Sequence, residues 1–195
     1  MSNQTIDAIE QSKQHGHKGK AVSGRLATGK ELIHIGANFS SAEELMNRIA
    51  DSALEQGYIE PHYRDAISER EKEFPTGLDL PIPIAIPHTD AGCITPFIAV
   101  ATLTNPIPFY SMDLSGDIVH VQMVFQLGIQ DGATHRRVLK KLALAFSRKE
   151  DMEELLYLKE EAELLEKLNL LLDGLLAISE SGNDSDSIGG PHEKN

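Results

Sequence analysis

The sequence predicts an α/β fold, a mixed sheet flanked by helices on both faces. Three observations predict it. Phe97–Leu103 and Ile118–Leu127 are apolar enough to be strands in a core. Apolar residues recur at helical spacing in two stretches before them and in two or three after. The order helix, helix, strands, helix, helix places a modest sheet between helical layers.

Taken in chain order, Ser40 or Ser41 opens the first helix. Ser41-Ala42-Glu43-Glu44 fits a capping box, in which the hydroxyl and the Glu satisfy free N–H groups reciprocally. Leu45, Ile49 and Ala53 follow on one stripe, and Gly57 supplies a stop. A second helix starts near Pro61, with Tyr63, Ala66, Ile67 and Arg70 on its stripe, and Pro75-Thr76-Gly77 ends it. Ile82–Pro87 reads as a short apolar strand with His88 immediately after it. Phe97–Leu103 suits a central strand covered on both faces. Ile118–Leu127 alternates, with Val119, Val121, Met123 and Phe125 on one side and His120, Gln122 and Gln126 on the other. A helix over about 134–146 carries Val138, Leu139, Leu142, Ala145 and Phe146 on its inner face, with His135 in its first turn. The region 150–176 holds one or two more helices, with Leu164, Leu165, Leu168, Leu171 and Leu172 facing the core.

Composition narrows the function. The chain has 195 residues and a net charge of −12. The charge is uneven: residues 1–30 hold five basic and two acidic side chains, while residues 150–195 hold three and thirteen. The expected organisation is a flexible basic arm over 1–30, one domain over 31–178 and a disordered acidic tail over 179–195. A single cysteine excludes a disulfide framework and a multi-cysteine zinc site. The acidity argues against nucleic acid as a partner. No apolar run reaches the roughly 20 residues that span a bilayer, and the N-terminus lacks a secretory h-region, so a cytoplasmic setting without membrane insertion is expected.

Three residues stand out chemically. His88 ends a short strand between loops rich in Pro and Gly, held in place yet able to reach solvent. Arg70 lies on the stripe of a helix leading into the Pro-Thr-Gly turn, and its guanidinium can bind phosphate in bidentate fashion. His135 sits where a helix N-terminus offers free amides and a positive dipole end. Together they would form a small cationic pocket for phosphate. Neutral imidazole is a nucleophile near pH 7, and Arg70 and His135 would neutralise a transferred phosphoryl group without a metal or other cofactor. Each also has an ordinary reading: a surface-loop His, an ion-paired Arg, a satisfied core His.

Residues from about Leu32 to Leu172 resemble the IIA components of the bacterial sugar phosphotransferase system (PTS), mannitol/fructose class. The resemblance rests on Glu69-Arg70-Glu71 ahead of Pro75-Thr76, on Ile84-Ala85-Ile86-Pro87-His88, and on His135 followed by Leu139, Leu142 and Phe146. Phe74-Pro-Thr-Gly-Leu78 and Ile86-Pro-His-Thr-Asp90 look most like the galactitol-type proteins of that class. The resemblance implies that His88 accepts a phosphoryl group on Nε2 from the phosphocarrier HPr and passes it to a cysteine of a IIB component. Arg70 and His135 would steady the phosphate, with Thr76 and Asp90 as neighbours of lower rank. The family fold, a mixed sheet flanked by helices, agrees with the pattern read from the residues. The long N-terminal arm and the acidic tail are departures that leave the motif untouched.

Other signals carry less. Gly24-Arg-Leu-Ala-Thr-Gly29-Lys30 nearly matches a phosphate-binding loop, but Glu31 stands where a Ser or Thr should follow. Cys93 reads as a small buried hydrophobe, His15 and His17 as parts of a solvated arm, and His120 as a packed His. Rival readings are a regulatory IIA protein using the same histidine, a metal-dependent hydrolase built on His88, Asp90, His120 and His135, and a non-catalytic binding module.

Overall fold

A computed structural model of the chain describes residues 24–179. Its sheet is built around two long antiparallel strands, β6 (Phe97–Tyr110) and β7 (Ile118–Gly128), paired from Phe97↔Gly128 to Tyr110↔Ile118. Beside β7 lie β4 (Ile84–Ala85) and β5 (His88–Thr89), both parallel to it, and β3 (Gly77–Leu78) runs antiparallel to β4. Beside β6 lie β1 (Leu26–Thr28) and β2 (Ile33–Ala37), and β8 (Leu176–Ile178) adds to β1, all parallel. The sheet is therefore mixed, as the sequence predicts.

Alternation along β6 explains the two layers. Phe97, Ala99, Ala101 and Leu103 point to one face, covered by α1 (Ala42–Glu55) and α2 (Tyr63–Glu73). Ile98 and Val100 point to the other, covered by α3 (Gly132–Phe146), α4 (Lys149–Tyr157) and α5 (Glu161–Leu171). Phe97 and Phe125 are fully buried on opposite faces, each contributing about 1.5–3 kcal/mol by leaving water. The leucines of α5 at 164, 165, 168 and 171, with Leu172 just after it, pack into the second layer, so they serve the core.

Several expectations need correction. β1 lies inside the segment read as a flexible arm: Leu26 is fully buried and pairs with Leu176, and a short 3-10 turn at Lys30–Leu32 follows. The rest of the arm, with His15 and His17, and the tail beyond Ser179 lie outside the described residues. Ile82–Pro87 is not one strand. Pro83 and Pro87 have no N–H to give a ladder, so pairing to β7 survives only as β4 and β5, and His88 opens β5 instead of following a strand. β6 continues past Leu103. Its register to β7 shifts between Thr102 and Ile107, where Thr104, Asn105 and Pro106 stay exposed. Opposite that shift β7 changes faces, so Val119 and Val121 pack under α1 and α2 while Met123 and Phe125 pack under the other layer. Gln126, expected on a polar side, is fully buried and donates from Nε2 to the Met46 carbonyl at 3.3 Å. α2 begins at Tyr63, two residues after Pro61. Of the capping box, the Ser41 hydroxyl accepts from Glu44 N at 3.1 Å, but the Glu44 carboxylate reaches Ser40 N at 2.7 Å instead of the Ser41 amide. Gly57 stops α1 as expected, in the left-handed region at φ +71°.

Candidate phosphoryl-transfer site

β5, the loops that follow β5 and β7, and two helix ends converge on one pocket of about 220 Å³, lined by Arg70, His88, Asp90, Asp131 and His135 with Thr89, Ile129, Gln130 and Gly132. Arg70 comes from the last turn of α2, His88 from β5, and His135 from the first turn of α3. Pairing of His88 to Leu127 fixes the strand end, and the buried Tyr63 hydroxyl donates to the Leu127 carbonyl at 2.9 Å from behind.

The contacts of His88 settle its tautomer. Nδ1 lies 2.8 Å from the Ile86 carbonyl, which only accepts, so Nδ1 carries the proton. Nε2 lies 3.0 Å from Arg70 Nη2, which only donates, so Nε2 presents its lone pair. The His135 ring stands 4.8 Å from the His88 ring, centroid to centroid, tilted by 48°. His135 Nε2 is buried without a hydrogen-bond partner among the described residues. Arg70 also lies 5.5 Å over the exposed Phe74 ring.

The pocket is less cationic than the sequence suggests. Burial lowers the pKa of His88, with Arg70 and His135 adding to the effect against the Ile86 hydrogen bond. Burial likewise lowers His135, helped by Arg70 and Arg136 and opposed by Asp90. Both rings are therefore neutral at pH 7. Asp90 and Asp131 line the same pocket, so its positive charge is essentially the Arg70 guanidinium. Nor does the α3 N-terminus stand open to an anion. The Asp131 carboxylate caps it, accepting from Ala133 N at 3.1 Å and Thr134 N at 2.8 Å. An Asp just before a helix is a legible cap signal that the sequence reading passed over.

Thr76 is not at the pocket wall. It is buried behind the site, with its backbone N–H and hydroxyl donating to the two oxygens of Glu71 at 2.8 and 2.9 Å. Its Oγ accepts from Ile86 N at 3.2 Å. Glu71 is 8% exposed, and burial pushes its carboxyl up to about 7. The sequence carried a sign of this burial: Glu71 follows Ile67 by four residues, on the inner stripe of α2. His120 is exposed on β7 and pairs with Pro108, about 23 Å along the strand from the residue opposite His88. The ligand set of the hydrolase reading does not converge. Among the described residues no cluster of three or more His, Cys, Asp or Glu side chains is arranged to hold a metal. Cys93 is buried, its thiol 3.4 Å from the Thr95 carbonyl and pushed up to about 12 by burial, as expected of a small hydrophobe.

These groups predict a signed pH dependence. The lowered pKa values of His34, His88 and His135 mean that the unfolded chain takes up their protons first. Their contribution to stability is present above about 6.5 and is lost as pH falls below it. Glu71 acts in reverse. Its carboxyl moves from 4.5 to about 7 on folding, so its contribution is present below 4.5 and lost as pH rises through about 7. Removing this opposing group steepens the acid loss. The urea midpoint of Glu71→Gln is expected to drop more than that of the unaltered protein between about pH 7 and about pH 5; parallel curves would show that Glu71 does not titrate there.

Fold and pocket define a class: an α/β protein with a mixed sheet that holds one neutral imidazole, its tautomer fixed, against a guanidinium. The chain belongs to the EIIA 2 family of the phosphoenolpyruvate-dependent sugar phosphotransferase system, whose family model matches residues 27–170. It is a IIA phosphocarrier, a phosphotransferase component of that system. It is 32% identical over 138 residues to the mannitol-specific phosphotransferase enzyme IIA component of Halalkalibacterium halodurans, covering 69% of this chain and 89% of that protein. It is 28% identical over 131 residues to the galactitol-specific EIIA component of Escherichia coli K12, covering 66% and 87%. Its fold is shared with the crystal structure of mannitol IIA from Escherichia coli, at a TM-score of 0.60 and 24% identity over 72% of this chain and 98% of that one. It is also shared with a complex of mannitol IIA and phosphorylated mannitol IIB from the same organism, at a TM-score of 0.59 and 23% identity over 76% and 99%. Among the described residues no helix is long and apolar enough to cross a membrane.

Proposed function

We propose that His88 is the residue that carries the phosphoryl group, received from phospho-HPr and handed to a cysteine of a cognate IIB protein in the cytoplasm. The observation that carries this reading is the pinned tautomer: Nδ1–H on the Ile86 carbonyl, and the Nε2 lone pair at the pocket beside Arg70. The Nε2 lone pair attacks phosphorus as the donor's P–N bond breaks, and that electron pair returns to the donor imidazole. The new P–N bond leaves a positive charge on the ring, which the Nδ1–H···O contact to Ile86 stabilises. Arg70 exchanges its bond to Nε2 for bonds to the phosphoryl oxygens, and the unpartnered His135 Nε2 donates to another. In the second step the IIB thiolate attacks phosphorus, a P–S bond forms, and the P–N electron pair returns to Nε2. Asp90, at the pocket wall, opposes net positive charge and favours release.

The sugar served is a polyol of the galactitol kind. The segments Phe74–Leu78 and Ile86–Asp90 support this reading, and both hexitols appear among the relatives. Phosphorylation by phosphoenolpyruvate, enzyme I and HPr tests the carrier role, with an acid-labile, alkali-stable product expected. His135→Ala is expected to keep the label but slow its transfer by about tenfold, the effect of one lost hydrogen bond to a developing charge. Unchanged transfer kinetics would remove His135 from the mechanism. Transfer of the label to a galactitol-type IIB in preference to a mannitol-type IIB tests the sugar assignment.

A further inference from the structure

The geometry points to Glu71 and Thr76 as positioning residues that hold His88 in its reactive tautomer and set its distance from Arg70. They form a strut between the two segments that build the site. At one end Glu71 is the neighbour of Arg70 in α2; at the other, Thr76 Oγ accepts the Ile86 amide, and the Ile86 carbonyl takes the His88 proton. Both carboxylate oxygens of Glu71 are engaged by Thr76, so the turn between α2 and β3 is fastened to the helix that carries Arg70.

Pro87 makes the strut necessary. The Ile86 carbonyl belongs to the Ile86–Pro87 peptide, which has no N–H to anchor it. Beyond it, the Pro87 carbonyl is held by Leu127 N at 3.0 Å. Before it, the Ile86 amide is the remaining anchor, and Thr76 holds it. If that anchor is lost the carbonyl can turn, Nδ1 loses its acceptor, and the proton becomes free to move to Nε2. A ring protonated at Nε2 has no lone pair there to offer phosphorus.

The inference rests on His88 as the phosphoryl carrier for its effect on rate, but not for its effect on the ring. The test therefore reads both. Nitrogen-15 spectra of the unphosphorylated full-length protein report the His88 tautomer without any phosphoryl donor, and transfer from phospho-HPr reports the rate. Thr76→Val keeps the shape and removes the hydroxyl. It is expected to mix the two tautomers and slow transfer by about tenfold, one hydrogen bond's effect. Thr76→Ser restores the hydroxyl and is expected to restore both readouts to within about twofold. Should Thr76→Val fail to fold, the double variant Glu71→Gln/Thr76→Val removes the charge that the lost hydroxyl leaves half-paired and keeps an acceptor for the Thr76 amide. A folded Thr76→Val or double variant with the tautomer and rate of the unaltered protein overturns the proposal. If the unaltered protein takes no phosphate while the variants still shift the tautomer, the carrier reading fails and the strut stands.

Discussion

His88→Ala is expected to abolish phosphate acceptance, reducing incorporation to that of a reaction without the protein. The substitution removes the proposed nucleophile, and no neighbouring group among the described residues can replace it. The His135 ring is 4.8 Å away, but it reaches the pocket from α3 without the Ile86 carbonyl that fixes the His88 ring, and Arg70 points its guanidinium at His88 Nε2. Cys93 is buried with a thiol pushed up to about 12, so it carries almost no thiolate at neutral pH. The fold should survive, because the backbone pairing of residue 88 to Leu127 does not need the side chain, and a denaturation midpoint near that of the unaltered protein would show it. An alkali-stable label on folded His88→Ala would overturn the assignment.

Arg70→Lys is the second large effect: transfer at saturating phospho-HPr is expected to fall by about 10²–10³-fold, the range for removing one preorganised donor to a developing negative charge. Charge is conserved, so a purely Coulombic role predicts little change. Geometry is not. Arg70 already donates to Nε2 at 3.0 Å, and only a planar fork can trade that bond for paired bonds to a phosphoryl group at the same place. A lysine offers a single hydrated point charge on a flexible stem. With both imidazoles neutral, the guanidinium supplies most of the pocket's positive charge. Helix propensity is nearly equal for the two residues, so stability should hold. A rate within about twofold of the unaltered protein would mean that the fork is not used.

The sequence was a good guide wherever local pattern decides structure. Phe97–Leu103 reads as a buried strand because apolar residues crowd it, and α1, α3 and the leucines of α5 read as helices because 3.6-residue spacing is local. It was a poor guide where pairing partners are distant. β1 and β8 are three residues each, and they are strands because they pair with one another across about 150 positions and β1 pairs with β6 as well. The prolines of Ile82–Pro87 could have warned that a continuous ladder was impossible.

At the site, the sequence by itself marked the candidate groups. His88 behind a proline, Arg70 on an inner helical stripe and His135 at a helix start are matters of residue type and spacing, and they do meet in one pocket. The net charge of −12, concentrated toward the C-terminus, says little about that chemistry. Only the tertiary structure decided their states. Whether His88 offers Nδ1 or Nε2 depends on a carbonyl brought within 2.8 Å by the turn at Pro87. Whether the pocket is cationic depends on burial, which neutralises both rings, and on two carboxylates that join the wall from separate loops. Thr76, expected beside the phosphate, stands behind the strand and bonds Glu71 and Ile86 instead. Proton position and ionisation are set by the solvent excluded and the partners supplied, and a chain acquires both only when it folds.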